Sequence, residues 1–436
     1  MFNLFDFALK IKGFPITEAK KTFENILNIP KEDYQNFMLE QRDRIVSHHL
    51  KNNPFYQKII GNQNILKWED LPILTKKDLQ QPLSERLSFG YNIKNIFVNK
   101  TSGSGGHPLI FAKDKEEHAL IWASTIHRFG WYNIDFNSSF QARFYGIPLD
   151  FINNRKERLK DFLSNRYRFP IFDLSDSQLE EILAHFKIKK FEYINGYTSA
   201  IVLFAKYLQS QNVVLTDFCP TLKVCMVTSE MLFEEDKKLL EKYLGIPIVN
   251  EYGASELGII AFQNPNGEWL VNHETLFVEI LDYDNNPVPY GTEGKIVITS
   301  LFNKAHPFIR YEIGDLGILS ENSTWKKPIL KQLTGRTSDM AVLPSGKKAP
   351  GLTFYYITKS IIEENGLVKE FIIRQLTLDT FQIEYVSECE LTSNQITAIE
   401  NAIAKYLESG LHFSYKRNEV LKRTARGKLK QFQSML

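Results

Sequence analysis

Between residues 178 and 250 the chain alternates helix-like and strand-like patterns with little sequence between them. Leu179, Ile182, Leu183 and Phe186 recur at helical spacing and predict a helix over 178–190. A strand over 191–194 follows, then a helix over 199–209, a strand over 221–227, a helix over 230–244 stopped at Gly245, and a strand over 247–250. Strands joined through a helix pair in parallel by right-handed crossovers, so this stretch is expected to form a doubly wound sheet. No internal repeat competes with that reading.

The chain's 436 residues exceed what one hydrophobic core usually serves, which favours two domains. From Leu276 the pattern changes to strands over 276–281 and 295–301 around the turn Asp284-Asn285-Asn286-Pro287, a β-rich subdomain. Beyond about Leu333 come helices over 354–364 and 392–407 around strands over 368–375 and 381–386. The expected fold class is α/β: a large N-terminal domain (1–333) with doubly wound sheets and a β-rich subdomain, and a small mobile α+β C-terminal lid domain (334–436). Its hinge falls at 335–338.

Lys and Arg total 53 against 51 Asp and Glu, with no long single-sign run, so nothing electrostatic supports a nucleic-acid or membrane-surface role. Small-molecule partners are expected instead. Cys219, Cys225 and Cys389 cannot all pair and have no zinc-ligand spacing, which suits a reducing, cytoplasmic setting. His107, His118, His127, His273 and His306 also lack such spacing. Asp6, Lys10 and Lys12 interrupt the mildly apolar start, so no secretory leader is expected, and no apolar stretch is long enough to predict a membrane span. Nothing in the sequence specifies an oligomeric state, and a homodimer is compatible with it.

The segment Thr101-Ser102-Gly103-Ser104-Gly105-Gly106-His107-Pro108 packs three glycines and three hydroxyls into eight residues. Such a loop can turn backbone N–H groups and hydroxyls toward phosphate oxygens. It lacks the Gly-Lys-Ser/Thr of a Walker loop, and Pro108 stands where Gly-x-Gly-x-x-Gly needs its last glycine. Taken alone it is equally well a surface turn. Four more segments follow in order: Asn250-Glu251-Tyr252-Gly253-Ala254-Ser255-Glu256, Arg310-Tyr311-Glu312-Ile313-Gly314-Asp315, Thr334-Gly335-Arg336-Thr337-Ser338-Asp339-Met340 and Arg426-Gly427-Lys428. Together the five resemble the ordered motifs of the acyl-adenylate-forming superfamily, which holds acyl-CoA synthetases, adenylation domains and luciferases. The length, Pro307-Phe308-Ile309-Arg310-Tyr311 and Gly196-Tyr197-Thr198-Ser199 are most similar to its phenylacetate-CoA ligase-like branch, which includes capsular-polysaccharide relatives.

The resemblance implies an AMP-forming ligase that uses ATP and Mg2+ to activate a small-molecule carboxylic acid, then transfers the acyl group to CoA or a phosphopantetheinylated carrier protein. By carry-over, Lys428 contacts the carboxylate and α-phosphate, and Glu256 holds Mg2+. The nucleotide set is Thr101, Ser102, Gly103, Ser104, Gly105, Gly106, Ser229, Glu230, Glu251, Tyr252, Gly253, Ser255, Asp315 and Arg336, with Asp315 and Arg336 on the ribose. Tyr145 in Arg143-Phe144-Tyr145-Gly146, Tyr197, Gly253 and Ala254 frame the acyl pocket, and Gly346 lines the acceptor channel. From the local sequence alone Lys428 reads rather as a solvated lysine of a basic tail, a reading that the Gly427-Lys428 pairing and its distance from Arg336 reverse, and the lesser alternative for Glu256 is an acid at a helix N-terminus.

Three positions depart from the family pattern. Ser229 replaces a glycine, Ser338 replaces the hinge aspartate, and Leu343-Pro344-Ser345-Gly346-Lys347-Lys348-Ala349-Pro350 replaces the branch's pantetheine loop. The last bears on the acceptor more than on ATP. Transfer to an amine, giving an amide, is therefore the alternative, and a non-catalytic nucleotide-binding relative is the third reading. Retention of both Lys428 and Glu256 weighs against the third.

Overall fold

The computed structural model describes residues 3–61, 67–101, 108–145, 158, 160–162, 164–171, 174–336, 340–351, 354, 368–423 and 428–436. By internal packing the chain divides into two compact units: Met1–Ile313 with Ile318–Lys331, and Gly314–Gly317 with Gln332–Leu436.

The first unit opens with helices α1 (Leu4–Ile11), α2 (Ile16–Leu27), α3 (Lys31–Asn52) and α4 (Pro54–Ile60), none of which was read from the sequence. The buried stripe of α3 runs Tyr34, Met38, Ile45, Val46 and then His49, whose ring nitrogen bonds the Asn303 carbonyl at 2.8 Å. A histidine completing an apolar stripe hides the helical period. Strands β1 (Phe97–Lys100) and β2 (Ile110–Lys113) form an antiparallel hairpin. Helix α5 (Lys115–Gly130) follows, capped where Asp114 accepts from the Glu117 N–H at 2.8 Å.

The principal sheet contains β3 (Gln141–Phe144), β4 (Arg166–Phe169), β5 (Tyr193–Tyr197), β6 (Val224–Thr228), β7 (Ile248–Ala254), β8 (Gly258–Gln263) and β9 (Trp269–Val271), in the order β4-β3-β5-β6-β7-β8-β9. Helices α6 (Asp176–Ile188), α7 (Thr198–Ser210) and α8 (Glu234–Leu244) cover one face, around Phe144, Phe169, Ile194 and Val227. On the other face Phe129 of α5 and Ile134 meet Tyr193, Val224, Met226 and Val249. Helices on both faces match the doubly wound expectation, but the sheet is mixed. β3 to β7 are parallel, whereas β8 and β9 run antiparallel. The reversal is local: Gly258 has φ +81°, and a Cβ on Gly253 would come within 2.9 Å of the Gly258 carbonyl, so glycine is required for the close turn.

A second correction concerns the helix expected over 230–244, which begins at Glu234. The carboxylate of Glu230 accepts the Ser199 N–H at 2.7 Å, so it satisfies the N-terminus of α7 rather than starting α8. The β-rich region comprises β10 (Leu276–Leu281), β11 (Glu293–Ser300), β12 (Tyr311–Leu319) and β13 (Leu330–Arg336), in that sheet order.

In the second unit β14 (Met340–Val342) and β15 (Lys348–Pro350) pair antiparallel. A four-stranded sheet follows, with β16 (Val368–Gln375), β17 (Thr380–Ser387), β18 (His412–Asn418) and β19 (Phe432–Ser434) in the order β18-β17-β16-β19. Helix α9 (Ser393–Tyr406) carries a capping box of Thr392 and Gln395 and buries Ile399 and Ile403. Of the helix expected over 354–364, residues 355–364 lie outside the described residues. No described helix is long and apolar enough to cross a membrane.

Candidate active site

In sequence the glycine-rich segment joins β1 to β2, and its described ends form the neck of the β1–β2 hairpin. That neck is closed twice, by the Thr101 N–H donating to the Leu109 carbonyl and the Leu109 N–H donating to Thr101 Oγ1, both at 2.9 Å. Ser102, Gly103, Ser104, Gly105 and Gly106 lie outside the described residues. Strand β2 leads from this neck to Lys113, whose buried Nζ donates to the Ser255 carbonyl at 3.1 Å.

That contact ties the hairpin to the end of β7, where Glu251, Tyr252, Gly253 and Ala254 give way to Ser255 and Glu256. Glu256 is buried and accepts from the Tyr311 hydroxyl at 3.2 Å. Burial raises its carboxyl above the ordinary range, opposed by a backbone hydrogen bond, Lys113 and Tyr311. Burial also raises Glu117, on the first turn of α5, against the pull of Lys113, and Glu117 Oε1 accepts from Ser300 Oγ at 2.6 Å. Lys113 is lowered by burial and held up by Glu117 and Glu256. The polar core of the site is thus Lys113, Glu117, Glu256 and Tyr311. Lys113 and Glu117 were missed in the sequence, where nothing marks them, and Tyr311 lay inside a recognised motif without a role.

Further along the sheet edge, Thr228 Oγ1 donates to Glu251 at 2.9 Å, and burial raises the Glu251 carboxyl. Ser229 adopts φ +71°, a left-handed conformation natural to glycine and strained by roughly 1 kcal/mol in other residues. Tyr145 and Tyr197 meet with ring centroids 4.7 Å apart. Gly196 has its own requirement, since a Cβ there would lie 2.5 Å from the Phe144 carbonyl oxygen. Tyr252 is buried against Trp269, 6.2 Å between centroids. Arg310, at the head of its motif, is buried with φ +45°; it pairs with Glu279 at 3.3 Å and donates to the Glu69 and Leu71 carbonyls.

Within the second unit, Arg336 Nε donates to Asp315 Oδ1 at 2.9 Å, so these two candidates are brought together. Lys428 is half-buried beside Leu429, which packs on Ile372 and Leu421. Gly346 sits at φ +80° in the β14–β15 turn, closed by the Gly346 N–H on the Leu343 carbonyl at 2.8 Å. Ser345 beside it donates to Glu408 through both its N–H (3.1 Å) and its hydroxyl (2.5 Å). Ser338 lies outside the described residues, and no cluster of three or more His, Cys, Asp or Glu that could hold a metal occurs among them.

No protein-family model matches the chain. Protein CapK of Staphylococcus aureus is 24% identical over 391 residues, covering 84% of this chain and 80% of that protein. Phenylacetate-coenzyme A ligase of Aromatoleum evansii is 29% identical over 129 residues, covering 28% of this chain and 29% of the ligase. Among solved structures, 2-hydroxyisobutyryl-CoA ligase bound to an acyl-AMP in its postadenylation state superposes with TM-score 0.71 at 17% identity, over 93% of this chain and 90% of that one. The chain is similar to acyl-adenylate-forming ligases in sequence and shares their fold.

Ser229 holds the positive φ that a glycine in that position would adopt freely. Gly346 opens onto solvent, with nothing within 4 Å of an added Cβ, so its local requirement is the turn's φ rather than close approach. The amide bond synthetase McbA from Marinactinospora thermotolerans shares the fold at TM-score 0.54 and 12% identity, over 76% of this chain and 68% of that one.

Proposed function

We propose that the chain couples ATP to a carboxylic acid, forming an acyl-adenylate with release of pyrophosphate, and then passes the acyl group to the thiol of CoA or of a carrier-protein phosphopantetheine. In the first step a carboxylate oxygen bonds to the α-phosphorus and the bond to the bridging oxygen breaks, so pyrophosphate leaves with the electron pair. In the second, the thiol sulfur bonds to the acyl carbon, AMP leaves, and the thiol proton is lost to solvent. Two anions must approach, so the main demand is charge neutralisation and alignment.

The observation that carries this reading is the connection through β2. One strand links the neck of the glycine hairpin at Thr101–Leu109 to Lys113, which touches the segment ending in buried Glu256. A phosphate-binding loop and a buried carboxylate on one scaffold suit a polyphosphate and its cation. Glu256 would hold Mg2+, which is commonly bound by one or two carboxylates with phosphate oxygens and waters. The ion would supply neutralisation of the phosphates. Lys113 and Tyr311 orient Glu256, and Asp315 with Arg336 would receive the ribose hydroxyls. Lys428, from a mobile lid over 334–436, would meet the α-phosphate. We take the enzyme to be cytoplasmic.

The test is pyrophosphate release by the purified chain with ATP, Mg2+ and a panel of aromatic, fatty, hydroxy and amino acids. Acid-dependent release of pyrophosphate supports the reading, and its absence across the panel removes it. The altered 343–350 segment and the fold shared with McbA support a second reading in which an amine is the acceptor. Offering the formed adenylate CoA, a loaded carrier or amines separates the two.

A further inference from the structure

At the C-terminal end of β3, Arg143 stands in register between Arg168 of β4 and Asn195 of β5. Strand alternation puts these three side chains on one face, together with Thr228 and Glu251. The C-terminal edge of a parallel sheet is where such folds bind ligands.

The neighbours of Arg143 are engaged, apart from Asp161 Oδ2, which has no hydrogen-bond partner among the described residues. Asp161 accepts from Arg166 at 2.5 Å and Arg168 at 2.9 Å, Asn195 donates to the Met226 carbonyl at 3.2 Å, and Glu251 accepts from Thr228 at 2.9 Å. Arg143 differs. Its guanidinium carbon lies 4.2 Å from the centroid of the Tyr145 ring, and its buried Nε has no hydrogen-bond partner among the described residues. No described carboxylate forms an ion pair with it, though Asp161 and Glu251 attract it from further off. Tyr145 is itself held against Tyr197, 4.7 Å between centroids.

A partly buried guanidinium without an acceptor is strongly unfavourable, and Arg143 has none among the described residues, so an oxyanion of a ligand would complete it. Tyr145 braces the flat face of the group. The edge that grips carboxylate or phosphate oxygens in pairs makes no hydrogen bond to any described residue. The surrounding charge has the same sense, since Arg143, Arg166 and Arg168 face one carboxylate at Asp161 and a second at Glu251 that burial holds toward its neutral form.

We propose that Arg143 binds a second oxyanion, a carboxylate or phosphate carried on the acyl part of the substrate, so that the enzyme selects acids bearing another negative group. This rests on the acid-activating reading and narrows it. Tyr145 is then a positioning residue for the guanidinium, and Tyr197 supports Tyr145.

The experiment measures pyrophosphate release with matched acids: a linear monocarboxylate, the α,ω-dicarboxylate of the same length, and the same acid ending in phosphate. Wild type is expected to favour one of the dianionic forms by at least tenfold in kcat/KM. Arg143→Gln should raise KM for that acid by at least tenfold, leave kcat/KM for the monocarboxylate unchanged, and leave the melting temperature unchanged or higher. Arg143→Lys should recover part of the loss. A wild type that uses the monocarboxylate as well as its dianionic partners overturns the inference without any variant. Equal loss on all acids, or a fall in melting temperature that accounts for the loss, also overturns it. If no acid releases pyrophosphate, the acid-activating reading fails and takes this one with it; turnover of monocarboxylates alone defeats only the second-oxyanion assignment.

Discussion

Replacing Arg128 by Met tests how α5, which carries Glu117 in its first turn, is anchored at its other end. Arg128 and Glu274 are both buried, 2.6 Å apart, and Arg128 also donates to Ser124 Oγ at 2.6 Å and Asn272 Oδ1 at 3.3 Å. Burial pushes the Glu274 carboxyl up, but Arg128, His273 and the hydrogen bonds outweigh it and hold it down to about 2, against an ordinary 4.5. That difference corresponds to roughly 3 kcal/mol of stability. The folded pKa is the lower one, so this contribution is complete above about pH 4.5 and is lost as pH falls through about 2. Arg128→Met keeps bulk but strands a buried carboxylate, for an expected loss of roughly 3 to 5 kcal/mol at pH 7. The loss should shrink as pH falls toward and through 4.5, because burial without Arg128 raises the variant's Glu274 carboxyl and favours its protonation, and Arg128→Met/Glu274→Leu should recover most of it. Urea unfolding across pH 3 to 8 reads all three proteins. A single variant within about 1 kcal/mol of wild type at pH 7, or a double variant no better than the single, would refute the reasoning.

Lys428→Ala should abolish adenylate formation, a loss on the order of 3 kcal/mol or more in transition-state energy, while sparing transfer from supplied acyl-adenylate; equal loss of both half-reactions removes that role. Asp315→Ala or Arg336→Ala should raise the ATP KM, a lost charged hydrogen bond typically costing about 1.5 to 3 kcal/mol, and 2′-deoxyATP used as well as ATP would contradict the ribose assignment. Gly346→Trp should block transfer with pyrophosphate release intact. Because Gly346 has φ +80°, Gly346→Asn, which tolerates that conformation, is the control; equal loss in both variants assigns the effect to the turn.

The strand and helix order from 178 to 250 was legible because a buried parallel strand is a short apolar run and its crossover helix an amphipathic one. The N-terminal helices were not. α3 completes its buried stripe with His49, a polar residue whose ring is satisfied by the Asn303 carbonyl far along the chain. The β7–β8 reversal was hidden for a different reason, because Gly253 read as a motif glycine and not as part of the close turn it forms with Gly258. Of the candidate residues, Glu256, Asp315 and Arg336 came from ordered motifs, whereas Lys113 and Glu117 became visible only when folding placed β2 against Ser255. Glu230 shows the reverse case: its carboxylate, carried over as a nucleotide contact, caps α7 through Ser199.

Acid-dependent conversion of ATP labelled at the α-phosphate tests the central claim most directly, with mass spectrometry of the product that stays on the enzyme. The account predicts the label in an acyl-adenylate with an equal amount of pyrophosphate before any thiol or amine is added, free AMP once an acceptor is supplied, and loss of all three in Glu256→Gln. Release of ADP and phosphate, or ATP turnover indifferent to every carboxylic acid and to Glu256→Gln, would contradict it.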